Sequence, residues 1–285
     1  MLATVVDAHI IAVGLCLGSF LNVVIARLPA GRSLVSPGSS CPTCGKKIAW
    51  YDNVPVLSWL LLRARCRGCE KPISARYPLV ELLTGLLVFA VWRRYGPVGA
   101  TLGYAVLACA LVALTYIDID TWLLPHEITW PLLGFGLLSP LWNSKLTFAS
   151  AGLGAAAGFA AFAAIVLFGE KVLRKETMGW GDVWLLSGIG AWLGWEALLP
   201  VVVLSSLQGA VVGVVLLAIG RGPAERAREA QVAKAPSPLA DEEDWVPPPH
   251  SVPYGPFLAL AALEVLLARD TISGAYLALM EKLFS

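Results

Sequence analysis

Two sets of side chains in this 285-residue chain could do chemistry. The first is carboxylic: Asp182, which ends Gly179-Trp180-Gly181-Asp182, and Asp118, in Ile117-Asp118-Ile119-Asp120. Each lies where an apolar run meets a polar loop, a costly place for a carboxylate unless it has a partner and a task. Two carboxyl groups held close cannot both ionise cheaply, so one keeps its proton while the other stays charged. The charged one can take a proton from water, which attacks a peptide carbonyl, while the protonated one donates to the carbonyl oxygen. Titration then belongs to the pair. Asp118 and Asp120 are two residues apart and point in different directions on a helix, so at most one faces Asp182. Asp118 follows the apolar run Leu111 to Ile117 and is the expected partner; Asp120 reads as a solvated helix-end residue. Gly179 and Gly181 would permit unusual dihedrals and leave room for an extended substrate backbone. The plain alternative is a pair of boundary carboxylates solvated by headgroup water.

The second set is sulfur. Cys41-Pro-Thr-Cys44 and Cys66-Arg-Gly-Cys69 flank residues 45–65, close to the spacing of a four-cysteine zinc knuckle pair. Zinc takes four thiolates in a tetrahedron, and each CxxC turn offers two. Gly45 and Gly68 suit tight knuckle turns, and Lys46 and Lys47 ease the charge of a tetrathiolate. A closed site of this kind folds a loop rather than catalyses, so structural Zn2+ is expected; a redox dithiol pair is the other reading. Cys16 and Cys109 lie in apolar segments and read as small hydrophobes.

The elements that must position these groups are apolar. The chain is 57% hydrophobic and only 14% charged, and the 98–117, 146–169 and 197–220 windows carry no charge. Each is long enough to span hydrocarbon. The expected fold is an all-α polytopic membrane protein with about eight transmembrane helices, over roughly 5–27, 78–95, 99–119, 127–142, 147–168, 182–195, 197–220 and from Gly255 onward. Residues 1–27 form a first transmembrane helix without a small-residue cleavage pattern, hence retained rather than a signal peptide. Residues 28–76 form a four-cysteine loop domain, and 77–285 a helix bundle that contains a flexible linker over 222–252, rich in proline and acid. A net charge of +1 gives no reason to expect a nucleic-acid partner.

Lysine and arginine set the orientation. The loops after the first, fifth and seventh helices hold most of them, whereas the opposite loops hold Arg93, Arg94 and Lys145. The positive-inside rule puts the N-terminus outside and the basic loops, the cysteine loop included, in the cytoplasm. Reducing conditions there argue against structural disulfides. The third helix then ends, and the sixth begins, on the cytoplasmic side, so Asp118 and Asp182 fall on one face of the membrane. Glycines at four-residue spacing (14/18, 154/158, 190/194 and 209/213) allow close helix packing where lipid gives no hydrophobic drive.

With these residues in view, the chain resembles the bacterial prepilin peptidases, membrane aspartyl proteases of the GxGD type. The likeness runs through Gly18 to Ile25, Arg27-Leu28-Pro29, both cysteine pairs, Asn53-Val54-Pro55, Ser58-Trp59-Leu60, and Tyr77 to Gly85 with Glu81. It continues through Ile117 to Asp120, Leu124-Pro125, Met178 to Asp182, Gly190-Ala191 and Pro253 to Phe257. The resemblance implies that Asp118 pairs with Asp182 in catalysis. It implies removal of the basic leader from type IV prepilins or type II secretion pseudopilins, at the cytoplasmic face of the bacterial inner membrane. It further implies N-methylation of the new amine with S-adenosylmethionine through the cysteine loop. Glu81 and Asn22 become candidate substrate or methyl-donor contacts, although Glu81 could instead pair with Arg76. Three departures stand out. Arg63-Ala64-Arg65 replaces the family's Arg-Gly-Lys, which puts methylation in doubt. His126 replaces its aspartate after Leu-Pro, and Trp184 replaces its lysine two residues after the GxGD aspartate, with Lys175 a possible compensating charge.

Two other classes are less consistent with the pattern. A transporter using Asp118 and Asp182 as a proton relay would carry polar residues along several helices, and the third, fifth and seventh are uniformly apolar. A membrane thiol oxidoreductase would turn its CxxC pairs to the oxidising side.

Overall fold

The computed structural model describes residues 2–174, 178–219 and 252–284. Among them there is no β-strand, only two isolated bridges, Ser40 with Lys47 and Arg65 with Pro72. The helices are α1 (Leu2–Arg27), α2 (Leu57–Leu61), α3 (Arg76–Tyr95), α4 (Gly99–Thr121), α5 (His126–Leu138), α6 (Phe148–Phe168), α7 (Trp180–Leu193), α8 (Leu198–Ile219) and α9 (Gly255–Phe284). All eight expected helices are present, with ends within a few residues of those read from the sequence. The short α2 and a 3-10 turn, Trp50–Asn53, fall inside the cysteine loop. Residues 222–251 of the expected linker, and Lys175, lie outside the described residues.

Four described segments are long and apolar enough to cross a membrane: Ala3–Arg27, Gly99–Thr121, Phe148–Val172 and Trp195–Ala218. Helices α5 and α7, at 13 and 14 residues, reach only about 20 Å each. Helix α7 is buried from Asp182 to Leu193 except at Trp184, whereas large apolar side chains of α8 such as Val214 and Leu217 face outward. Outward-facing side chains of this size are what a bilayer, unlike water, accommodates, while the small residues of the interior let helices approach closely.

The chain divides into two compact units, Met1–Ile117 and Asp118–Ser285. In the first, α1 lies against α3 through Gly14 and Gly18. A Cβ at Gly14 would come within 2.8 Å of the Gly85 Cα, and one at Gly18 within 2.6 Å of the Glu81 Cα. The far end of this pair is tied by Asp7, which accepts from Trp92 Nε1 at 3.1 Å and Arg93 at 3.2 Å. Near the cysteine-loop end, Asn22 Nδ2 donates to the Tyr77 carbonyl at 3.1 Å.

In the second unit, α6 and α7 meet backbone to backbone. A Cβ on Gly154 would strike the Gly190 carbonyl, and one on Gly158 would lie 2.7 Å from the Leu186 carbonyl oxygen. Ser187 donates across the same contact to the Ala155 carbonyl at 2.9 Å. Helix α5 is pinned to α7 by Trp192, whose ring N–H reaches the Leu132 carbonyl at 2.8 Å. Helices α8 and α9 share polar contacts in the apolar interior: Ser205 with the Tyr254 hydroxyl at 2.7 Å, and Gln208 donating to Glu264 at 2.7 Å. Three of the four glycine pairs thus serve close contacts. The last does so only in part: Gly209 packs on the Phe257 ring, while no atom lies within 4 Å of a Cβ at Gly213.

These glycines give a paired test. Gly154→Ala should destabilise the protein by about 2 kcal/mol or more through overpacking. Gly152→Ala, whose Cβ would meet nothing within 4 Å, should be neutral or slightly stabilising. Thermal unfolding in detergent distinguishes the two.

Candidate active site

Asp118 sits in the last turn of α4 and is 5% exposed; Asp182 sits in the first turn of α7 and is 9% exposed. The sequence brings them together by ending α4 abruptly. Trp122 takes a left-handed φ of 59°, and its N–H still caps the Asp118 carbonyl at 2.9 Å. The extended Pro125 then starts α5, and the intervening Leu124 packs against Gly181 and Gly255. A Cβ at Gly181 would lie 2.8 Å from the Leu124 Cβ, and one at Gly255 would lie 3.3 Å from Leu124 Cδ2 and 2.5 Å from Asp118 Oδ2. Glycine at 255 therefore lets the start of α9 come against the Asp118 carboxylate, which accepts the Gly255 N–H. The Asp118 charge in turn bears on the Asp182 carboxyl. Asp182 Oδ1 is buried without a hydrogen-bond partner among the described residues. Two neighbouring carboxyl groups, Asp182 in the first turn of α7 and Asp118 against the N–H that starts α9, both places that favour negative charge, form a site able to activate water.

Asp120 is exposed, as a helix-end residue should be. The role expected for the two glycines changes. Gly179 has an ordinary φ of −73°, and Gly181 is not among the positive-φ residues. What position 181 needs is the missing Cβ, because Leu124 fills that space.

The departures at 126 and 184 are neighbours in space. His126 stacks on Trp130 with ring centroids 4.9 Å apart, and Trp184 meets both rings edge-on, at 6.5 and 6.1 Å. Phe159 closes the cluster at 5.1 Å from Trp184. Where the family pattern places an acid and a base, this chain joins α5 to α7 through aromatic rings.

The cysteine loop is two copies of one turn. Cys41 N–H bonds the Lys46 carbonyl and Gly45 N–H the Cys41 carbonyl; Cys66 N–H bonds the Lys71 carbonyl and Glu70 N–H the Cys66 carbonyl, all at 2.9 Å. The residue after each CxxC is left-handed, Gly45 at φ 69° and Glu70 at 57°. Gly45 therefore has its counterpart in Glu70. Gly68 has a different task, since a Cβ there would lie 2.9 Å from Lys46 Cδ. All four Sγ atoms lie within 4.8 Å of one another and could hold a metal ion. The N–H groups of Cys44 and then Thr43 hold the Cys41 thiol down at about 6, and those of Cys69 and Gly68 lower Cys66. For Cys69 the Lys71 N–H favours the thiolate, but burial and the other three thiols outweigh it and push the group up to about 11. Arg67 grips Asp52 with two bonds of 2.8 and 2.7 Å, fixing the second turn to the 3-10 turn and holding the Asp52 carboxyl below the usual range.

Asn22 and Glu81 belong to the first unit. Glu81 is 8% exposed and accepts the Val56 N–H at 2.7 Å and the Ser19 hydroxyl. Arg76, the partner considered for it, donates to the Tyr116 carbonyl at 3.2 Å and lies 4.8 Å over the Tyr116 ring. Leu124 and Gly255 entered the sequence reading only as parts of the family likeness, without a role at the site, and Val56 did not enter it. Only the Gly-Pro step at 255–256, apt for a helix start, was a signal.

Left-handed residues other than glycine cost about 1 kcal/mol each. Glu70→Gly and Ala64→Gly (φ 59°) should each stabilise the protein by about 0.5–1 kcal/mol, and Gly45→Ala should destabilise it by a similar amount. Thermal unfolding of the three purified variants checks this.

Residues 12–95 match the family model described as the bacterial peptidase A24 N-terminal domain, and residues 105–214 that of the type IV leader peptidase family. The chain is similar to the prepilin leader peptidase/N-methyltransferase of Myxococcus xanthus, 46% identical over 301 residues that span 91% of this chain and 89% of the relative. Proteins of the same name from Aeromonas hydrophila (40% identical, 92% and 91% covered) and Burkholderia pseudomallei (39%, 91% and 84% covered) are also similar. No solved structure matches. By these matches along nearly its whole length, the chain belongs to the type IV leader peptidase family.

Proposed function

We infer that the protein is a membrane aspartyl endopeptidase that removes the basic leader from type IV prepilins or type II secretion pseudopilins and then N-methylates the new amino terminus. The observation that carries the peptidase reading is the buried Asp118–Asp182 neighbourhood. With one proton between the two groups, the ionised carboxylate takes a proton from water as its oxygen attacks the scissile carbonyl carbon. The protonated carboxyl gives its proton to the carbonyl oxygen, and the tetrahedral species collapses as the leaving amine takes up a proton. Gly181 and Gly255 let Leu124 and the start of α9 close in around the two carboxyl groups.

The placement of basic residues supports an inner-membrane protein of eight crossings, N-terminus outside and site at the cytoplasmic face. In this reading 28–76 is a cytoplasmic domain between the first crossing and the 77–285 bundle. Its four thiols suit Zn2+. A Zn–S bond of about 2.3 Å in a tetrahedron sets sulfurs about 3.8 Å apart, and Cys41 Sγ and Cys69 Sγ lie 3.8 Å apart. Bound there, the ion would lock the two turns together. S-adenosylmethionine would supply the methyl group. Glu81 and Asn22 are candidate contacts on that side; Asn22 Oδ1 accepts no hydrogen bond among the described residues. Ala64 holds the left-handed shape that the family's glycine favours, so the departure there reads as strain within the same loop path.

Incubating detergent-solubilised protein with a prepilin and following leader loss on a gel tests the peptidase. Asp118→Asn and Asp182→Asn should each reduce cleavage at least about a thousandfold; cleavage persisting in either would falsify the pairing. Elemental analysis should find about one zinc per chain, and metal-free protein with full activity would contradict the zinc reading.

A further inference from the structure

Glu81 is a buried carboxylate on α3 whose partners are all neutral. It accepts the Val56 N–H at 2.7 Å and the Ser19 hydroxyl, and no lysine or arginine among the described residues pairs with it. A buried charge without a counter-charge is strongly unfavourable, and in an apolar helix it points to a ligand of opposite sign. The loop pays to reach it. Val56 sits at φ 61°, ψ −49°, with Leu57 N–H bonded to the Pro55 carbonyl at 2.6 Å, a γ-turn of the rare positive-φ kind. A β-branched residue held in that shape is strained, and such strain gathers at functional sites. Here it aims an N–H at the carboxylate. Beside this cluster a cleft of about 240 Å³ opens, lined by Cys16, Ser19, Phe20, Val23, Asn53 and Pro55. Ser19 belongs to both the cleft and the carboxylate's shell, and Pro55 leads the strained turn.

We propose that this cleft is the seat of the substrate's new amino terminus, its ammonium paired with Glu81 and its first apolar side chain against Phe20 and Val23. The inference rests on the methyl-transfer reading above and names the group bound at that step. The lining chooses between the two candidate ligands. A methyl donor with an amino-acid head brings a carboxylate, and the cleft offers it no basic side chain. A lone ammonium on an apolar residue needs one carboxylate and an otherwise uncharged wall; the cleft's wall is uncharged, and Glu81 lies directly behind it, bonded to the Ser19 hydroxyl that lines it. Glu81 is thus a substrate-binding residue, distinct in role from Asp118 and Asp182.

The test uses the full chain in detergent, labelled S-adenosylmethionine, and a short synthetic peptide with a mature type IV pilin amino terminus, free or N-acetylated. The free-amine peptide should accept label and should inhibit methylation of pre-cleaved pilin at least about tenfold more strongly than the acetylated one. Glu81→Gln keeps an acceptor for Val56 and Ser19 but loses the charge; it should raise KM for the free-amine peptide at least about tenfold while kcat changes far less. Its zinc content and melting temperature report whether it folds, and the peptide comparison on unaltered protein needs no variant. Equal inhibition by the two peptides, or an unchanged KM in folded Glu81→Gln, overturns the proposal. Unaltered protein that transfers no label removes the methyl-transfer reading itself, and this inference with it.

Discussion

Burying two carboxyl groups side by side is the constraint that the second unit answers. Asp182 occupies the first turn of α7, and Asp118 takes the Gly255 N–H at the start of α9. Helix N-termini favour negative charge, so the backbone supplies what no cation among the described residues supplies. Both approaches need glycine, because Leu124 and the Asp118 carboxylate occupy the places a Cβ would take at 181 and 255. The rest of the unit makes α7 a firm platform. Gly154 and Gly158 bring α6 onto its backbone, and Trp192 and Ser187 add hydrogen bonds that a lipid-facing helix could not satisfy elsewhere.

The first unit applies the same logic to a different end. Its glycines bring α1 onto α3 at Gly85 and Glu81, so Ser19 on one helix reaches the carboxylate on the other. Its loop is built from a repeated turn whose left-handed corner is glycine once and glutamate once. The repeat, rather than the identity of that corner residue, sets the four sulfurs within reach of one ion.

Much of this was legible in the sequence. Charge-free windows marked the helices, and the boundary aspartates and CxxC pairs marked the chemistry. What escaped depends on partners distant in the chain. Four-residue spacing says that Gly209 and Gly213 share a helix face, but not that only the first has a neighbour on it. Gly45 and Gly68 both read as residues of tight knuckle turns, whereas the left-handed corner of the second turn is Glu70, imposed by the hydrogen bonds that close the turn. Nothing in Pro55-Val56-Leu57 announces a γ-turn, because its strain is held by Glu81, 25 residues on. His126 and Trp184 looked like two unrelated departures until the fold set their rings 6.5 Å apart.

The central claim is that Asp118 and Asp182 act on one reacting group. The most direct measurement is equilibrium binding of a prepilin-derived peptide whose scissile amide is replaced by a hydroxyl-bearing isostere, which mimics the tetrahedral species. The account predicts tight binding to the unaltered protein and a loss of at least about a hundredfold in affinity for Asp118→Asn and Asp182→Asn alike. Unaltered affinity in either variant would contradict it.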